Sequence, residues 1–358
     1  MSNIVIIGAG VMGSALAVPP SESTDNHVTL VGSPLDDAII DAVQHNRHHP
    51  TLDVALPESI NALHLGELDE QHLNSADIIV LGVSSAGINW AVNYLESRNI
   101  RPPVLALVTK GLVSNSDKHG APLTYADVLA ASMTSPAGQL VGIGGPCIAR
   151  ELALGIPTRV TFAAKNEVLA KDMRAHFQTP YYRITTHADF VALEACAALK
   201  NFLCIGVSAM FTAYPLHDNH AKNPLAALYN QAVRELFTLS HWISNSSPSH
   251  HFTNQHMQNH VAFDLAGMGD MHVTVGGGRN SRLGRYLGQG KTINQVTSGA
   301  MKGVTVEGVD TGRNLLDGFR AACCEGVLDI KQLPLTDTLL TCIDEDTRFH
   351  FDFSSLPV

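Results

Sequence analysis

Asn3-Ile4-Val5-Ile6-Ile7-Gly8-Ala9-Gly10-Val11-Met12-Gly13-Ser14-Ala15-Leu16-Ala17 decides the fold. A β-branched run, a glycine loop and a run of helix formers follow one another without a gap. The first reads as a buried parallel strand and the last as a helix. A Gly-x-Gly-x-x-Gly spacing is common by itself; here it stands between strand and helix, where each glycine has a reason. Gly8 permits the tight turn, Gly10 lets a pyrophosphate approach the backbone, and Gly13 lets the helix pack close on the strand. The helix start, with Val11 and Met12, offers unpaired N–H groups to an anion. Pro19-Pro20 is expected to end this helix early.

Working outward, strand signals recur at His27 to Val31, Ala76 to Val83, Val104 to Thr109, Leu140 to Ile143, Arg159 to Ala163 and Tyr181 to Thr185. Helical patterns alternate with them, which predicts an α/β domain with a doubly wound, mostly parallel sheet. After Asp189 strand signals nearly vanish and helical periodicity dominates. The expected organisation is therefore a nucleotide-binding α/β domain over residues 1–188 and an all-α domain over 189–358. The longest apolar stretch, Val191 to Met210, contains Glu194, Lys200 and Asn201, so it reads as an internal helix and not a membrane span.

A chain of 358 residues with 45% apolar types can bury a large core in about two domains. Lys and Arg number 23 against 33 Asp and Glu, a net charge of −10, which argues against a general nucleic-acid binder. A local basic pocket for a small anion remains compatible with that charge. The six cysteines form no Cys-x-x-Cys pair and read as reduced thiols of a cytoplasmic protein. The first residues carry no basic segment and no small-residue cleavage site, so no signal peptide is expected.

The second strand ends Leu30-Val31-Gly32-Ser33, with neither the acid that selects NAD nor an Arg that accepts NADP. Ser33 can bond a ribose hydroxyl or a 2′-phosphate. Arg47 either reaches that region or is a solvated loop residue. The cofactor is therefore read as NAD or NADP.

Four further segments carry chemistry. Lys110, in Thr109-Lys110-Gly111, stands where a parallel strand ends and ligands bind; otherwise it is a surface Lys. Gly144-Gly145-Pro146-Cys147-Ile148-Ala149-Arg150-Glu151 gives a backbone that a ligand can approach, or simply a tight turn. Lys200 sits in an apolar helix, where desolvation brings an ammonium toward useful acid/base range; a snorkelling Lys is the plainer reading. Asp270, Thr274 and Gly276-Gly277-Gly278-Arg279-Asn280 combine a possible lysine partner with an anion nest and a guanidinium clamp; the alternative is a hinge with a structural ion pair. Together they describe a nicotinamide cofactor, a phosphate-binding Arg and a lysine acid/base, a set for reducing a phosphorylated ketone.

In this order the segments resemble the soluble NAD(P)-dependent sn-glycerol-3-phosphate dehydrogenases of bacteria and archaea. The resemblance runs through nearly the whole chain: the opening loop from Gly8 to Ala17, Lys110-Gly111-Leu112, Gly145 to Glu151, Ala198-Leu199-Lys200-Asn201, Leu265 to Asp270, Gly278-Arg279-Asn280, Leu287-Gly288-Gln289-Gly290 and Val306-Glu307-Gly308. It implies a Rossmann domain followed by a helical domain, usually in a homodimer, reducing dihydroxyacetone phosphate to sn-glycerol 3-phosphate for glycerophospholipid synthesis. Lys200 is then the proton donor and acceptor, Lys110 touches substrate and cofactor, and Asp270 supports the lysines. Arg279 and Asn280 bind the phosphate, Arg279 also near the nucleotide, with Gly145, Asn201 and Thr274 on the substrate side. Ala149, Val306 and Glu307 line the cofactor, beside Ser33 and the glycine loop.

The chain also departs from the family pattern. Cys147 replaces a common Ser or Thr, Gly278 a common Ser, and the segment Asn223 to Ala232 lacks the family's Arg and carries Pro224. His220 and Lys222 are candidate stand-ins. These changes bear on substrate identity more than on hydride transfer, so a dehydrogenase of another small hydroxy-compound and a non-catalytic nucleotide sensor are the rival readings. His250, His251, His256 and His260 cluster, yet no Cys or carboxylate completes a metal set, and no metal is expected.

Overall fold

A computed structural model describes residues 1–117, 120–132, 140–216, 219–249 and 260–357. They divide into two compact units: Met1–Lys110 with Val128–Phe190, and Gly111–Asp127 with Val191–Val358. The excursion over 111–127 is a feature that a single cut near residue 188 does not contain.

The first unit is built on an eight-stranded sheet. Its strands are β1 (Ser2–Ile7), β2 (Asn26–Val31), β3 (Ile60–Leu63), β4 (Ile78–Leu81), β5 (Val104–Leu107), β6 (Leu140–Gly144), β7 (Thr158–Ala163) and β8 (Tyr182–His187). In space they run β3-β2-β1-β4-β5-β6-β7-β8, so the first six follow the strand order of dinucleotide-binding sheets. All neighbours are parallel except β6 and β7. The order reverses at β1 and β4, which places the glycine loop at the switch point, where such sheets bind ligands. β4 and β5 are buried along their whole length, as expected of strands covered on both faces.

Three details depart from the sequence reading. β3 carries no long β-branched run; it is a four-residue strand, Ile-Asn-Ala-Leu, paired with β2 alone. β4 is shorter than Ala76 to Val83: it ends at Leu81, and Gly82, whose N–H still donates to Ile7 O of β1, packs on Gly8 and Gly13. Pro19-Pro20 does not end the first helix: α1 runs Val11–Ser21 with both prolines inside it. They fall in its last turn, where each lacks the N–H that would bond four residues back, and the helix stops one residue beyond Pro20. The chain leaves through Glu22 N–H and Ser23 N–H, which donate to Pro19 O and Pro20 O.

The second unit is helical apart from two-residue ladders such as Leu112–Val113 with Leu123–Thr124. Its centre is α2 (Phe190–Ala213), the one helix among the described residues long and apolar enough to cross a membrane, and it is buried by protein from Phe190 to Met210. Around it stand α3 (Lys222–Ser246), α4 (Asp270–Gly276), α5 (Arg279–Gly288), α6 (Glu307–Cys324) and α7 (Pro334–Glu345). α5 crosses α2 at backbone distance through Gly284 and Gly288; a Cβ on either would lie 2.1 Å from a carbonyl of α2, at Ile205 and Ala209. Pro224 sits in the first turn of α3, where its missing N–H has no helical partner to lose. Glu235 accepts from the N–H groups of Leu335 and Thr336, tying α3 to the start of α7.

Candidate active site

In the first unit the three glycines of the loop have three different surroundings. Gly8 has φ +109°, and Gly13 lies so close to it that a Cβ on Gly13 would stand 2.1 Å from Gly8 O. A Cβ on Gly10 would meet nothing within 4 Å. The loop is therefore closed on its protein side and open on the other, a cradle that fits a pyrophosphate. Ala9, between them, is pinned twice. Its N–H donates to Asp36 Oδ2 at 3.0 Å, and its carbonyl meets the buried His49 Nε2 at 3.0 Å. His49 Nδ1 accepts from Thr51 N–H and Leu52 N–H, so the ring proton sits on Nε2 and is donated to Ala9.

A cavity of about 390 Å³ opens beside this loop, lined by residues that include Gly8, Gly10, Ser33, Asp36, Ser84 and Trp90. Gly8, Gly10 and Ser33 are thus brought together as the sequence predicts, while Asp36 and Trp90 join them unannounced. Arg47 is elsewhere: its guanidinium donates to Pro57 O and Ile60 O and lies 3.9 Å from Glu58. Val11 stands half exposed at the start of α1.

A smaller cleft gathers Met12, Lys110, Gly145 and Cys147 with Tyr182. Lys110 follows the end of β5 and Gly145 the end of β6, so both stand at carboxyl ends of strands. Ala149 opens the short helix Ala149–Ala153 that follows.

In the second unit the predicted residues form two adjoining groups. Lys200, on α2, is buried; its Nζ lies 2.5 Å from Asp270 Oδ1 and donates to Thr274 Oγ1 at 2.7 Å. Thr274 donates its own proton to Asp270 O at 2.8 Å, which turns its lone pairs toward the ammonium. Asp270 and Thr274 are one turn apart on α4, so one helix end presents both partners. One residue along α2, Asn201 Nδ2 donates to Glu307 Oε2 at 3.3 Å, and the other oxygen of Glu307 holds Arg279 Nη2 at 2.8 Å. Asn280 Oδ1 accepts from Gly308 N–H at 2.9 Å, fixing the start of α6, whose cap is the buried Val306. Gly278, with φ +92°, caps α5 directly before Arg279.

Cys204, one turn beyond Lys200, has its thiol pushed far up by burial and is no rival proton carrier. The described residues contain no cluster of His, Cys, Asp and Glu suited to a metal. Of the histidine cluster, His250, His251 and His256 lie outside the described residues, and His260 caps the turn Val261–Phe263 by accepting from Ala262 N–H.

Comparison with known proteins gives one family. Residues 3–170 match the NAD-dependent glycerol-3-phosphate dehydrogenase N-terminus, and residues 189–350 the C-terminus of the same family. The chain is 30% identical over 326 residues to the NADP(+)-dependent glycerol-3-phosphate dehydrogenase of Archaeoglobus fulgidus, covering 89% of this chain and 87% of the relative. It is 29% identical over 318 residues to glycerol-3-phosphate dehydrogenase [NAD(P)+] of Koribacter versatilis, with 87% and 86% covered. The crystal structure of glycerol-3-phosphate dehydrogenase from Coxiella burnetii shares the fold, with a TM-score of 0.74 at 23% identity, covering 97% of this chain and 96% of that one. With both halves matched in order and relatives aligned over most of its length, the chain belongs to the NAD-dependent glycerol-3-phosphate dehydrogenase family.

Proposed function

We propose that this enzyme reversibly reduces dihydroxyacetone phosphate to sn-glycerol 3-phosphate with NAD(P)H, using Lys200 as general acid and base. The observation that carries the reading is the buried Lys200 ammonium, held by Asp270 and Thr274 on one helix end. A buried ammonium needs a counter-charge, and a proton donor aimed at a carbonyl needs a fixed position; the pair supplies both.

A bound reduced nicotinamide supplies the hydride that reaches the carbonyl carbon. The open face at Gly10 and the N–H groups at the start of α1 hold the pyrophosphate. Lys200 gives its proton to the developing alkoxide, which would otherwise be an unpaired charge away from water, and takes it back in the reverse direction. Asp270 keeps Lys200 in place during both strokes. Arg279, beside Asn280 at the start of α5, binds the substrate phosphate by charge-assisted hydrogen bonds, with Glu307 setting the guanidinium's direction. Lys110 stands with Gly145 at strand ends and touches substrate and cofactor.

Six cysteines with no disulfide among them suit a reducing cytoplasm, and the product suits supply of the glycerophospholipid backbone. The test is the loss of reduced-nicotinamide absorbance on adding dihydroxyacetone phosphate, with glycerol as the comparison in the reverse direction. Turnover of the phosphorylated pair alone supports the reading. Equal turnover of glycerol and glycerol 3-phosphate would move Arg279 away from a phosphate site.

A further inference from the structure

Dinucleotide-binding folds that select NAD place an acid at the end of the second strand, on the adenosine ribose. Here that position is Gly32, but the space beyond it is not empty. A Cβ on Gly32 would lie 2.9 Å from Ile40 Cγ1 and 3.4 Å from Asp36 Cβ. Asp36 reaches there through the turn Ser33-Pro34-Leu35-Asp36, closed by Asp36 N–H donating to Ser33 O at 2.9 Å. Its carboxylate folds back across the turn. Oδ2 accepts from Ser33 N–H at 2.8 Å and from Ala9 N–H at 3.0 Å, tying the glycine loop to the end of β2. Although Asp36 stands just before the helix Asp37–Asn46, its side chain makes no capping bond to it. Among the described residues no hydrogen bond reaches Oδ1, and Asp36 lines the 390 Å³ cavity with Gly8, Gly10 and Ser33. None of the described lining residues is Lys, Arg or His. The one nearby arginine in sequence, Arg47, is held by Pro57, Ile60 and Glu58.

We propose that Asp36 is the coenzyme-specificity residue of this chain, an acid moved four positions along the sequence, and that it makes the enzyme prefer NAD(H) over NADP(H). Oδ1 accepts from the adenosine ribose hydroxyls, while a 2′-phosphate brings about −1.5 to −2 charges to a carboxylate with no cation in the same lining. The assignment rests on the dehydrogenase reading above, and it sets this chain apart from the NADP(+)-dependent relative of Archaeoglobus fulgidus.

The test is calorimetric titration of the full chain with NADH, NADPH, ADP-ribose and 2′-phospho-ADP-ribose, beside turnover of dihydroxyacetone phosphate. Each 2′-phosphorylated ligand should bind about tenfold or more weakly than its counterpart. Asp36→Asn keeps an oxygen for Ala9 N–H and Ser33 N–H and removes the charge, so it should narrow the gap about tenfold. Equal or tighter NADPH binding by the wild type, an unchanged ratio in the variant, or no binding of either coenzyme would overturn the assignment. The wild-type comparison stands even if the variant fails to fold. Tight NADH binding without turnover would refute the reaction and leave Asp36 in its role; equal use of both coenzymes would do the reverse.

Discussion

Lys200 Nζ stands 2.5 Å from Asp270 Oδ1, and each side chain is only 5% exposed. Neither charge can be buried alone at tolerable cost, so the two residues are one device. Thr274 completes it by accepting from the ammonium at 2.7 Å. Lys200 sits on α2, which is buried from Phe190 to Met210, so the proton donor inherits the rigidity of the core.

Lys200→Ala should lower kcat for dihydroxyacetone phosphate by about 10²–10⁴-fold, the usual worth of a positioned acid/base. NADH affinity should hold, because the glycine loop belongs to the other unit. Steady-state rates beside NADH titration check this, and normal turnover would remove Lys200 from the mechanism.

Asp270→Asn should act on stability as well as rate. It leaves a buried ammonium without its counter-charge, at a cost of about 3–5 kcal/mol. The measurement is urea unfolding of variant and wild type. A midpoint that does not move would mean the pair contributes nothing to the fold.

Much of this was readable from the residues, and the exceptions have physical causes. The glycine loop announces itself because its three roles depend on spacing. Lys200, Asp270, Arg279 and Asn280 stand out as charged or amide side chains in apolar or glycine-rich settings. Asp36 was invisible because a turn, and no periodicity, carries it back to the end of β2. β3 was missed because four residues with Asn61 among them make no run, and parallel pairing with β2 supplies what propensity lacks. The excursion over 111–127 joins the second unit through distant contacts, such as Asn314 Nδ2 donating to Leu112 O at 2.7 Å, and no local pattern encodes them. Pro19-Pro20 misled only in position: the two prolines fall within the last turn of α1 instead of beyond it, and the helix ends at Ser21.

The glycine loop gives a paired prediction. Gly13→Ala drives a Cβ into Gly8 O and should destabilise the protein by about 1–3 kcal/mol. Gly10→Ala meets no protein atom within 4 Å and should fold like the wild type while losing NADH affinity, since its methyl occupies the pyrophosphate's approach. Thermal melts and NADH titration of both variants separate packing from binding. Unimpaired NADH binding by Gly10→Ala would put the pyrophosphate somewhere else.

Arg279→Ala should raise KM for dihydroxyacetone phosphate by about 10–150-fold, from the loss of a contact worth about 1.5–3 kcal/mol. Any turnover of unphosphorylated dihydroxyacetone should change far less. Initial rates over a range of both substrates test it. A KM that stays level would assign Arg279 to its ion pair with Glu307 and leave the phosphate to another group.

Glu194 offers a prediction about pH. It sits on α2 in the core, where Oε2 accepts from Ala126 N–H at 2.8 Å and Oε1 is buried with no hydrogen-bond partner among the described residues. Burial pushes its carboxyl up from 4.5 to about 8, and the nearby Asp127 adds to the rise, while Ala126 N–H and the Thr124 hydroxyl oppose it. The folded state therefore holds a proton that the unfolded state releases between those two values. Its contribution to stability is complete below about pH 4.5 and declines as pH rises through about 8. Glu194→Gln keeps an acceptor for Ala126 and cannot ionise. Relative to the wild type, its stability should improve with pH across that window, by at most about 1.4 kcal/mol per pH unit, the slope of one proton. Urea midpoints of both proteins at several pH values measure the difference. Parallel curves would mean that Glu194 is ionised in the fold and finds compensation that its surroundings do not display.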